Sequence, residues 1–212
     1  MFFRQIWIVD FGAQLTQLIT RKLREIGYSA EILTLEKTEE RFNSGLKPKA
    51  LVLSGGPQSV FTDQHNYNFI FDHKDLPLLG ICYGMQLMGK YFAGKVEKGI
   101  LGEYGHAEVV LENNFVVPQC PKKINVWMSH SDHVSEMPQG FEVVMKTHNG
   151  LTGAIKHISR PILGLQFHPE VEHTQHGIDI LRYFFQDIAK LSQDWTGKTM
   201  LEDAFELIKT VG

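Results

Sequence analysis

Short apolar runs alternate with segments of helical spacing along the first part of the chain. Strands are predicted at residues 6–10, 30–35, 50–53 and 76–81, of which the first is a short apolar run that ends in an acid. Uninterrupted apolar runs of this length are typical of strands that are covered on both faces. After the first run, apolar side chains recur at helical spacing at Leu15, Leu18, Ile19, Leu23 and Ile26. A further helix is expected at residues 83–92. This alternation predicts a largely parallel sheet with helices on both faces.

The pattern changes in the middle of the chain, where strand-like runs follow one another without helices. These runs lie at residues 107–111, 141–146, 153–158 and 162–167, and turn residues separate them. Helical spacing returns over residues 178–191, and Thr199 with Glu202 matches a capping box that would begin a last helix. The sequence therefore predicts an α/β fold whose open, mostly parallel sheet is flanked by helices and carries antiparallel additions, as in flavodoxin-like and Rossmann-like folds.

Composition narrows the range of functions. A length of 212 residues suits one α/β domain with a sizeable core. The formal net charge of -3 gives no reason to expect a nucleic-acid or membrane partner, and no apolar run is long enough to cross a bilayer. Two cysteines, Cys82 and Cys120, are too few for a disulfide framework. A reducing, cytoplasmic location is therefore expected.

One cysteine lies where a nucleophile is expected. Cys82 stands between a predicted strand and a predicted helix, in the pattern Gly80-x-Cys82-x-Gly84. This is the cysteine form of a nucleophile elbow, a sharp turn in which flanking glycines leave room that a Cβ would block. The N–H groups at the start of the following helix favour a thiolate and can bind a developing oxyanion. The alternative is a buried cysteine between two packing glycines.

A thiolate nucleophile needs a base, and His168 is the best placed of the ten histidines. It follows a predicted strand, at the sheet edge where ligand sites of open α/β folds gather. Glu170 is two residues further on, so in an extended backbone both side chains point the same way. Glu170 can then hold one imidazole nitrogen while the other faces Cys82. The alternative is a surface His-Pro-Glu turn.

A glycine-rich turn follows the third predicted strand, with the sequence Ser54-Gly55-Gly56-Pro57. Adjacent glycines let backbone N–H groups approach a ligand closely. A plain strand-ending turn and a pyrophosphatase-type ATP loop are the other interpretations. That ATP loop continues with an Asp-Ser pair, which this chain lacks, and no Gly-Lys-Ser/Thr sequence supports a Walker loop.

Other candidate sites are weaker. His173 and His176 have the spacing of two metal ligands on one helical turn, but no Cys, Asp or third His completes a zinc set nearby, so no metal is expected. Cys120 is interpreted as an ordinary loop thiol. The charged residues 36–41 are interpreted as a solvated surface.

Four separate motifs extend from near the start of the chain to residue 174. They are Asp10-Phe11-Gly12-Ala13-Gln14, Gly80-Ile81-Cys82-Tyr83-Gly84-Met85-Gln86, Trp127-Met128-Ser129-His130-Ser131-Asp132-His133-Val134 and Gln166-Phe167-His168-Pro169-Glu170-Val171-x-His173-Thr174. In this order they resemble the class I glutamine amidotransferases, and among these the glutaminase domains of GMP synthases. The amidotransferases of tryptophan or folate synthesis usually carry leucine where Tyr83 stands and histidine where Met85 stands.

The resemblance implies a role for each matching residue. Cys82 would be the nucleophile, His168 the general base and acid, and Glu170 the residue that orients His168. The N–H groups of Gly56 and Tyr83 would form the oxyanion hole.

Three further residues, Gln86, Ser131 and Asp132, would hold the substrate glutamine. Ser131 departs from the glycine that is usual in GMP synthases. If the backbone there needs a conformation that only glycine adopts, the pocket would be altered. If the contacts use backbone groups in an ordinary conformation, the serine is harmless, and we favour this alternative.

The resemblance also implies a domain organisation. Residues 1–192 would form the glutaminase domain, and residues 193–212 would begin the connection to an ATP-pyrophosphatase synthetase domain. The chain is then either a fragment, as its tail suggests, or a separately encoded subunit. No cofactor is expected in this chain, because ATP and Mg would bind only to the synthetase domain, and the full-length protein would be a homodimer. Ammonia released from glutamine would aminate xanthosine monophosphate to GMP.

Two rival functions stay open at this stage. The first is a γ-glutamyl hydrolase with a wider pocket, which turnover of γ-glutamyl peptides would distinguish from a glutaminase. The second is a binding module that does no chemistry, and the presence of Cys82, His168 and Glu170 argues against it.

Overall fold

One mixed sheet of nine strands forms the centre of the computed structural model, which describes residues 4–201 apart from the side chains of residues 100 and 101. The strands are β1 (Ile6–Asp10), β2 (Ala30–Thr34), β3 (Ala50–Leu53), β4 (Leu78–Ile81), β5 (Lys95–Leu111), β6 (Lys123–Glu136), β7 (Phe141–Thr147), β8 (Thr152–His157) and β9 (Ile162–Leu165). The helices are α1 (Thr16–Glu25), α2 (Leu35–Asn43), α3 (Asn68–Phe71), α4 (Tyr83–Tyr91) and α5 (Gly177–Tyr183), which a π-helical turn (Phe184–Ile188) continues.

The sheet has a parallel and an antiparallel part. Its strand order is β2-β1-β3-β4-β9-β8-β7-β5-β6. The first five strands in this order pair in parallel, and the remaining pairs are antiparallel. The predicted α/β fold, a mostly parallel sheet with antiparallel additions, is confirmed.

The core lies on both faces of the parallel strands. In β1, Ile6 and Ile8 pack on one face with α1 and α5, whereas Trp7 and Val9 pack on the other with α2 and α4. All four side chains are fully buried. Burial on both faces explains why the strand appears in the sequence as an uninterrupted apolar run.

The carboxyl ends of four parallel strands meet at one edge of the sheet. The chain leaves this edge at Gly12 after β1, at Ser54 after β3, at Cys82 after β4 and at Gln166 after β9. Strand order reverses beside β1, since β2 lies on one side of it and β3 on the other. Ligand sites in open α/β sheets form where the order reverses in this way.

Several elements differ from the sequence-based predictions. Strand β6 and the first half of β5 were not predicted, and neither was α2, in which Glu36, Lys37 and Glu40 are exposed but Glu39 and Arg41 are half-buried. The run at 162–167 ends as a strand at Leu165. The predicted helix at 178–191 is helical only to Ile188, and its second part is the π-helical turn.

The predicted start of the last helix at Thr199 is wrong, because residues 197–201 are already helical. The Thr199 N–H donates to Oγ1 of Thr196 at 3.4 Å, and the Thr196 N–H donates to Oγ1 of Thr199 at 2.6 Å. These reciprocal bonds are those of a capping box that begins three residues earlier. Glu202, the predicted partner, lies outside the described residues.

Residues just beyond the predicted boundary at 192 lie against the main body of the fold. The N–H groups of Asp194 and Trp195 both donate to the Gly27 carbonyl at 2.9 Å. The guanidinium of Arg24 lies 4.4 Å from the centre of the Trp195 ring. Within residues 4–201, no helix has the length and apolar character that a membrane span requires.

Candidate active site

Cys82 occupies a strained turn between β4 and α4. Its backbone has φ 51° and ψ -103°, a conformation that non-glycine residues rarely adopt. A Cβ added to Gly84 would lie 2.3 Å from the carbonyl oxygen of Leu53, and one added to Gly80 would lie 2.7 Å from the backbone of Gly84. Only glycines fit on either side of the cysteine, as the elbow pattern predicts. The turn places Cys82 at the N-terminus of α4.

The sulfur of Cys82 is almost buried and has three polar neighbours. The thiol donates to the Ser129 carbonyl at 3.6 Å, and Nε2 of Gln166 lies 3.9 Å from Sγ. The third neighbour is His168, which lines the same cavity and interacts electrostatically with Cys82. Strand β6 and the segment after β9 therefore both reach the cysteine.

His168 links the cysteine to a buried carboxylate. Its Nδ1 lies 2.8 Å from Oε1 of Glu170, and neither side chain is more than 5% exposed. Although burial alone lowers the pKa of His168, hydrogen bonds and charge attraction from Cys82 and Glu170 raise it to about 10. The arrangement favours the protonated, imidazolium form of His168.

Backbone bonds to β6 hold the segment that carries His168. The His168 N–H donates to the Trp127 carbonyl at 3.1 Å, and the Thr174 hydroxyl donates to the His168 carbonyl at 2.6 Å. The Trp127 N–H in turn donates to Oγ1 of Thr174 at 3.0 Å. Position and orientation of the imidazole are thus set by an edge strand that sequence reasoning did not predict.

The glycine turn after β3 closes the site from the opposite side. A Cβ added to Gly55 would lie 3.0 Å from Cε1 of His168. A Cβ added to Gly56 would lie 2.9 Å from the carbonyl oxygen of Phe11. The Ser54 hydroxyl accepts from the Phe11 N–H at 3.1 Å and fixes the turn against the end of β1. The backbone at both glycines is thus packed where side chains have no room.

One cavity of about 620 Å³ gathers most of the predicted site residues. Its lining includes Gly56, Cys82, Gln86, Ser131, Asp132 and His168. The other two predicted residues lie behind this surface. Glu170 is buried beyond His168, and the side chain of Tyr83 is buried against the ring of Phe11.

Asp132 is a buried carboxylate at the wall of this cavity. Ser59 donates to its Oδ2, and the Ser131 hydroxyl lies 3.3 Å from its Oδ1. Gln86 donates to the Asp132 carbonyl at 2.8 Å. Ser131 lies within strand β6, where the pairing with β5 is irregular, and does not have a positive φ. The backbone at this position therefore does not adopt a left-handed conformation that would favour glycine.

His130 lies next to these residues but has the opposite electrostatic character to His168. Burial lowers its pKa to about 4, although Nδ1 lies 3.0 Å from the Asp132 carbonyl. Its Nε2 lies 3.2 Å from Glu103, whose own pKa burial raises. His130 is therefore a neutral wall residue near pH 7.

Two further side chains were not singled out as site residues: Gln166, which lies beside the sulfur, and Ser59, which donates to Asp132. Gln166 is 1% exposed and has no hydrogen-bond partner for its Oε1 within residues 4–201. Its position two residues before His168 is a signal that could have identified it, because alternate residues of an extended chain share one side. Ser59 had no such signal, since it lies in an irregular loop.

Metal-ligand groups do not come together in the described part of the chain. Across residues 4–201, no three side chains among His, Cys, Asp and Glu are arranged to hold a metal ion. The ring of His173 instead packs against that of Trp127, with centroids 5.0 Å apart. Nδ1 of His176 lies 2.9 Å from Oδ2 of Asp179.

Comparisons with known proteins agree with this geometry. The profile of the family Glutamine amidotransferase class-I matches residues 7–188. The chain is 41% identical to GMP synthase [glutamine-hydrolyzing] of Thermosipho melanesiensis over 98% of its length, and 41% identical to that of Legionella pneumophila over 95%. It spans 40% of the length of each of these relatives. The crystal structure of a protein described as a GMP synthase subunit from Thermoplasma acidophilum superposes with a TM-score of 0.78 at 32% identity, covering 90% of this chain and 96% of that one.

Proposed function

The chain belongs to the class I glutamine amidotransferase family, and from that premise we propose that it hydrolyses glutamine to glutamate and ammonia through a thioester on Cys82. The observation that supports this best is the chain of contacts from Glu170 through His168 to Cys82 at the wall of one cavity. A nucleophile, a base and an orienting carboxylate are the parts that cysteine-based acyl transfer requires.

In the first half of the proposed reaction, the Cys82 thiolate attacks the side-chain carboxamide carbon of glutamine. The carbonyl oxygen becomes an oxyanion, which the N–H groups of Gly56 and Tyr83 would bind. Preorganised donors of this kind typically lower the activation free energy by several kcal/mol. The imidazolium of His168 then gives its proton to the amide nitrogen as the C–N bond breaks. Ammonia leaves, and a γ-glutamyl thioester remains on Cys82.

In the second half, neutral His168 removes a proton from water, and the water oxygen attacks the thioester carbon. The tetrahedral intermediate collapses, which releases glutamate and restores the thiolate and imidazolium. Glu170 keeps its charge throughout and stabilises each imidazolium state. One water is consumed, and one ammonia and one glutamate are produced.

Residues at the cavity wall have the chemistry to hold the amino-acid end of glutamine. We assign this role to Gln86, Ser131 and Asp132. The buried carboxylate of Asp132 suits the substrate ammonium group, and the side chain of Gln86 fixes the Asp132 backbone. Asp132 would then favour free glutamine over glutamine whose α-amino group is in a peptide bond.

The ammonia would serve a synthetase elsewhere. Both curated relatives named above are more than twice as long as the matched region, and the Thermoplasma neighbour is described as one subunit of its enzyme. We propose that a synthetase domain or subunit uses ATP and Mg to aminate xanthosine monophosphate to GMP, and that the complete protein is a homodimer. The cytoplasmic location and a domain boundary near residue 192 stay predictions.

The decisive experiment measures glutamate and ammonia release by the chain, with and without a matching synthetase, ATP and xanthosine monophosphate. Cys82→Ala should abolish release, and the matched variant Cys120→Ala should not. A glutamine-like electrophile should modify Cys82, as mapped by mass spectrometry. Modification at Cys120, or full activity of Cys82→Ala, would overturn the assignment. A rate that does not rise with the synthetase would contradict the proposed coupling.

A further inference from the structure

The loop that carries Gly56 is fastened to the helix that follows Cys82. This loop runs from Ser54 to the start of α3. The ammonium group of Lys90, near the end of α4, donates to the carbonyl oxygens of Val60 and Asp63, each at 2.7 Å. One end of α4 is therefore tied to the loop through its backbone.

The other end of α4 is tied to the loop through the carboxylate of Asp63. Its Oδ2 accepts hydrogen bonds from the hydroxyls of Tyr83 and Tyr67, and its Oδ1 accepts from the His65 N–H at 2.8 Å. Tyr83 is the residue immediately after Cys82. A single loop carboxylate thus contacts the first residue of the helix that begins at the nucleophile.

Electrostatics strengthens this contact. Burial opposes the charge on Asp63, but the hydrogen bonds from Tyr67, Tyr83 and the backbone lower its pKa overall. Burial and the bond to Asp63 raise the pKa of Tyr83. Asp63 is therefore an anion and Tyr83 a donor across the physiological range, and hydrogen bonds to an ionised acceptor are the stronger kind.

Phe11 completes the connection between the two backbone positions. Its ring packs edge-on against that of Tyr83, with centroids 5.1 Å apart. A Cβ added to Gly56 would lie 2.9 Å from both the backbone oxygen and the Cβ of Phe11. Movement of the Tyr83 ring would therefore displace Phe11 and, through it, the backbone of Gly56.

We propose that Asp63 is a positioning residue that holds the N–H groups of Gly56 and Tyr83 in register, so that both point at one oxyanion. The inference rests on the proposed function, because it assigns a purpose to the geometry of that reaction. Asp63 touches neither substrate nor sulfur, and acts only through the Tyr83 hydroxyl and the loop. Its loss should impair steps that form an oxyanion and leave simple reactions of the thiolate unchanged.

The experiment compares Tyr83→Phe and Asp63→Asn with the wild-type chain. Tyr83→Phe keeps the backbone N–H and removes only the hydroxyl that reaches Asp63. The matched control is Tyr91→Phe, which removes a tyrosine hydroxyl on the same helix that donates to Asp72 at 2.8 Å. Three quantities are measured: the kcat and KM for glutamine, inhibition by glutamate γ-semialdehyde, and the rate of Cys82 alkylation by iodoacetamide. The semialdehyde forms a tetrahedral adduct that uses the oxyanion hole, whereas alkylation does not.

We expect kcat to fall about tenfold or more in both variants, since loss of a full oxyanion donor costs about 100-fold or more. Affinity for the semialdehyde should fall in parallel, while KM, alkylation and the Tyr91→Phe control stay near wild type. If Asp63→Asn fails to fold, Tyr83→Phe decides the question. Unchanged kcat and inhibition in Tyr83→Phe would overturn the positioning role and leave the proposed function standing. A wild-type chain that releases no ammonia, even with its synthetase, would overturn both.

Discussion

Oε1 of Glu170 lies 2.8 Å from Nδ1 of His168, two residues earlier in the chain, and both side chains are almost completely removed from solvent. The second carboxylate oxygen, Oε2, has no hydrogen-bond partner within residues 4–201. Burying a carboxylate with so few partners is costly, and the hydrogen bond and charge of the imidazole offset part of that cost. Glu170 stabilises the charged imidazole of His168, and His168 stabilises the buried carboxylate. Substitution of Glu170 should therefore affect both groups.

Glu170→Gln is expected to lower kcat more than it raises KM. The amide keeps the size of the side chain but cannot stabilise the imidazolium that forms during the reaction. A hydrogen bond to a charged group contributes about 1.5–3 kcal/mol, which corresponds to a fall in kcat of about tenfold to 100-fold. Steady-state kinetics of glutamine hydrolysis measures this. Glu172→Gln, an exposed neighbour in the same loop, is the matched control and should behave as wild type. An unchanged kcat with only a higher KM would remove Glu170 from the proposed triad.

The protonation of His168 should depend on Cys82. The raised pKa of about 10 means that the folded chain binds this proton more tightly than the unfolded chain, where the ordinary value is 6.5. The resulting stabilisation is complete below about pH 6.5 and is lost as the pH rises through about 10. Cys82→Ala removes one of the two raising partners, so the pKa of His168 should fall well below 10 in that variant.

Titration of the imidazole proton resonances by NMR tests this dependence. His157 serves as an internal reference, because burial and Arg160 lower its pKa and neither Cys82 nor His168 is among the causes of that shift. Equal His168 titration in the wild type and Cys82→Ala would show that the thiol does not contribute to the charge on the ring.

Gly84→Ala should destabilise the chain by about 2 kcal/mol or more, since overpacking a well-filled site typically costs about 1–3 kcal/mol. The added methyl group would lie 2.3 Å from the Leu53 carbonyl oxygen, which belongs to the rigid strand β3. Gly197→Ala is the matched control, because a Cβ there meets no atom within 4 Å. Urea unfolding of both variants gives the two free energies. Equal stabilities would show that α4 can shift away from β3 without cost.

The sequence was most informative where structure and packing follow the same rule. Strand β1 was predicted at its observed bounds, because burial on both faces leaves an uninterrupted apolar run at 6–9 that ends at Asp10. The elbow at Cys82 was predicted because Gly80 and Gly84 are steric requirements of the turn itself.

Prediction failed where polar residues occupy structural positions. In β6, the buried residues alternate as a strand requires, but His130 and Asp132 are among them and interrupt the apolar pattern. Polar residues at inward positions are expected at functional sites, where side chains are kept for their chemistry and not for core packing. Helix α2 was missed for a different reason: it buries only Thr38 and Phe42, so its apolar stripe is too short to recognise.

The contacts of the loop after β3 were beyond sequence reasoning altogether. Asp63 meets Tyr83 across 20 residues, and Ser59 meets Asp132 across 73. Neither pair has a periodic spacing or a local motif, because the contacts depend on how the loop crosses the finished sheet. The predicted site residues could be placed at one edge of the sheet, but not the residues that hold them there.

Gln166 provides the last prediction. Its amide nitrogen lies 3.9 Å from the sulfur, where an N–H donor would stabilise a thiolate. In a Cys120→Ser background, Gln166→Leu should slow alkylation of Cys82 by iodoacetamide at neutral pH about tenfold, because hydrogen bonds to charged groups contribute about 1.5–3 kcal/mol. Gln166→Glu should slow it further, since a second negative charge would lie beside the sulfur. This order separates an electrostatic role from a packing role, because glutamate has nearly the shape of glutamine and leucine does not. Thermal unfolding checks that both variants are folded. Alkylation slowed by leucine but not by glutamate would identify Gln166 as a packing residue.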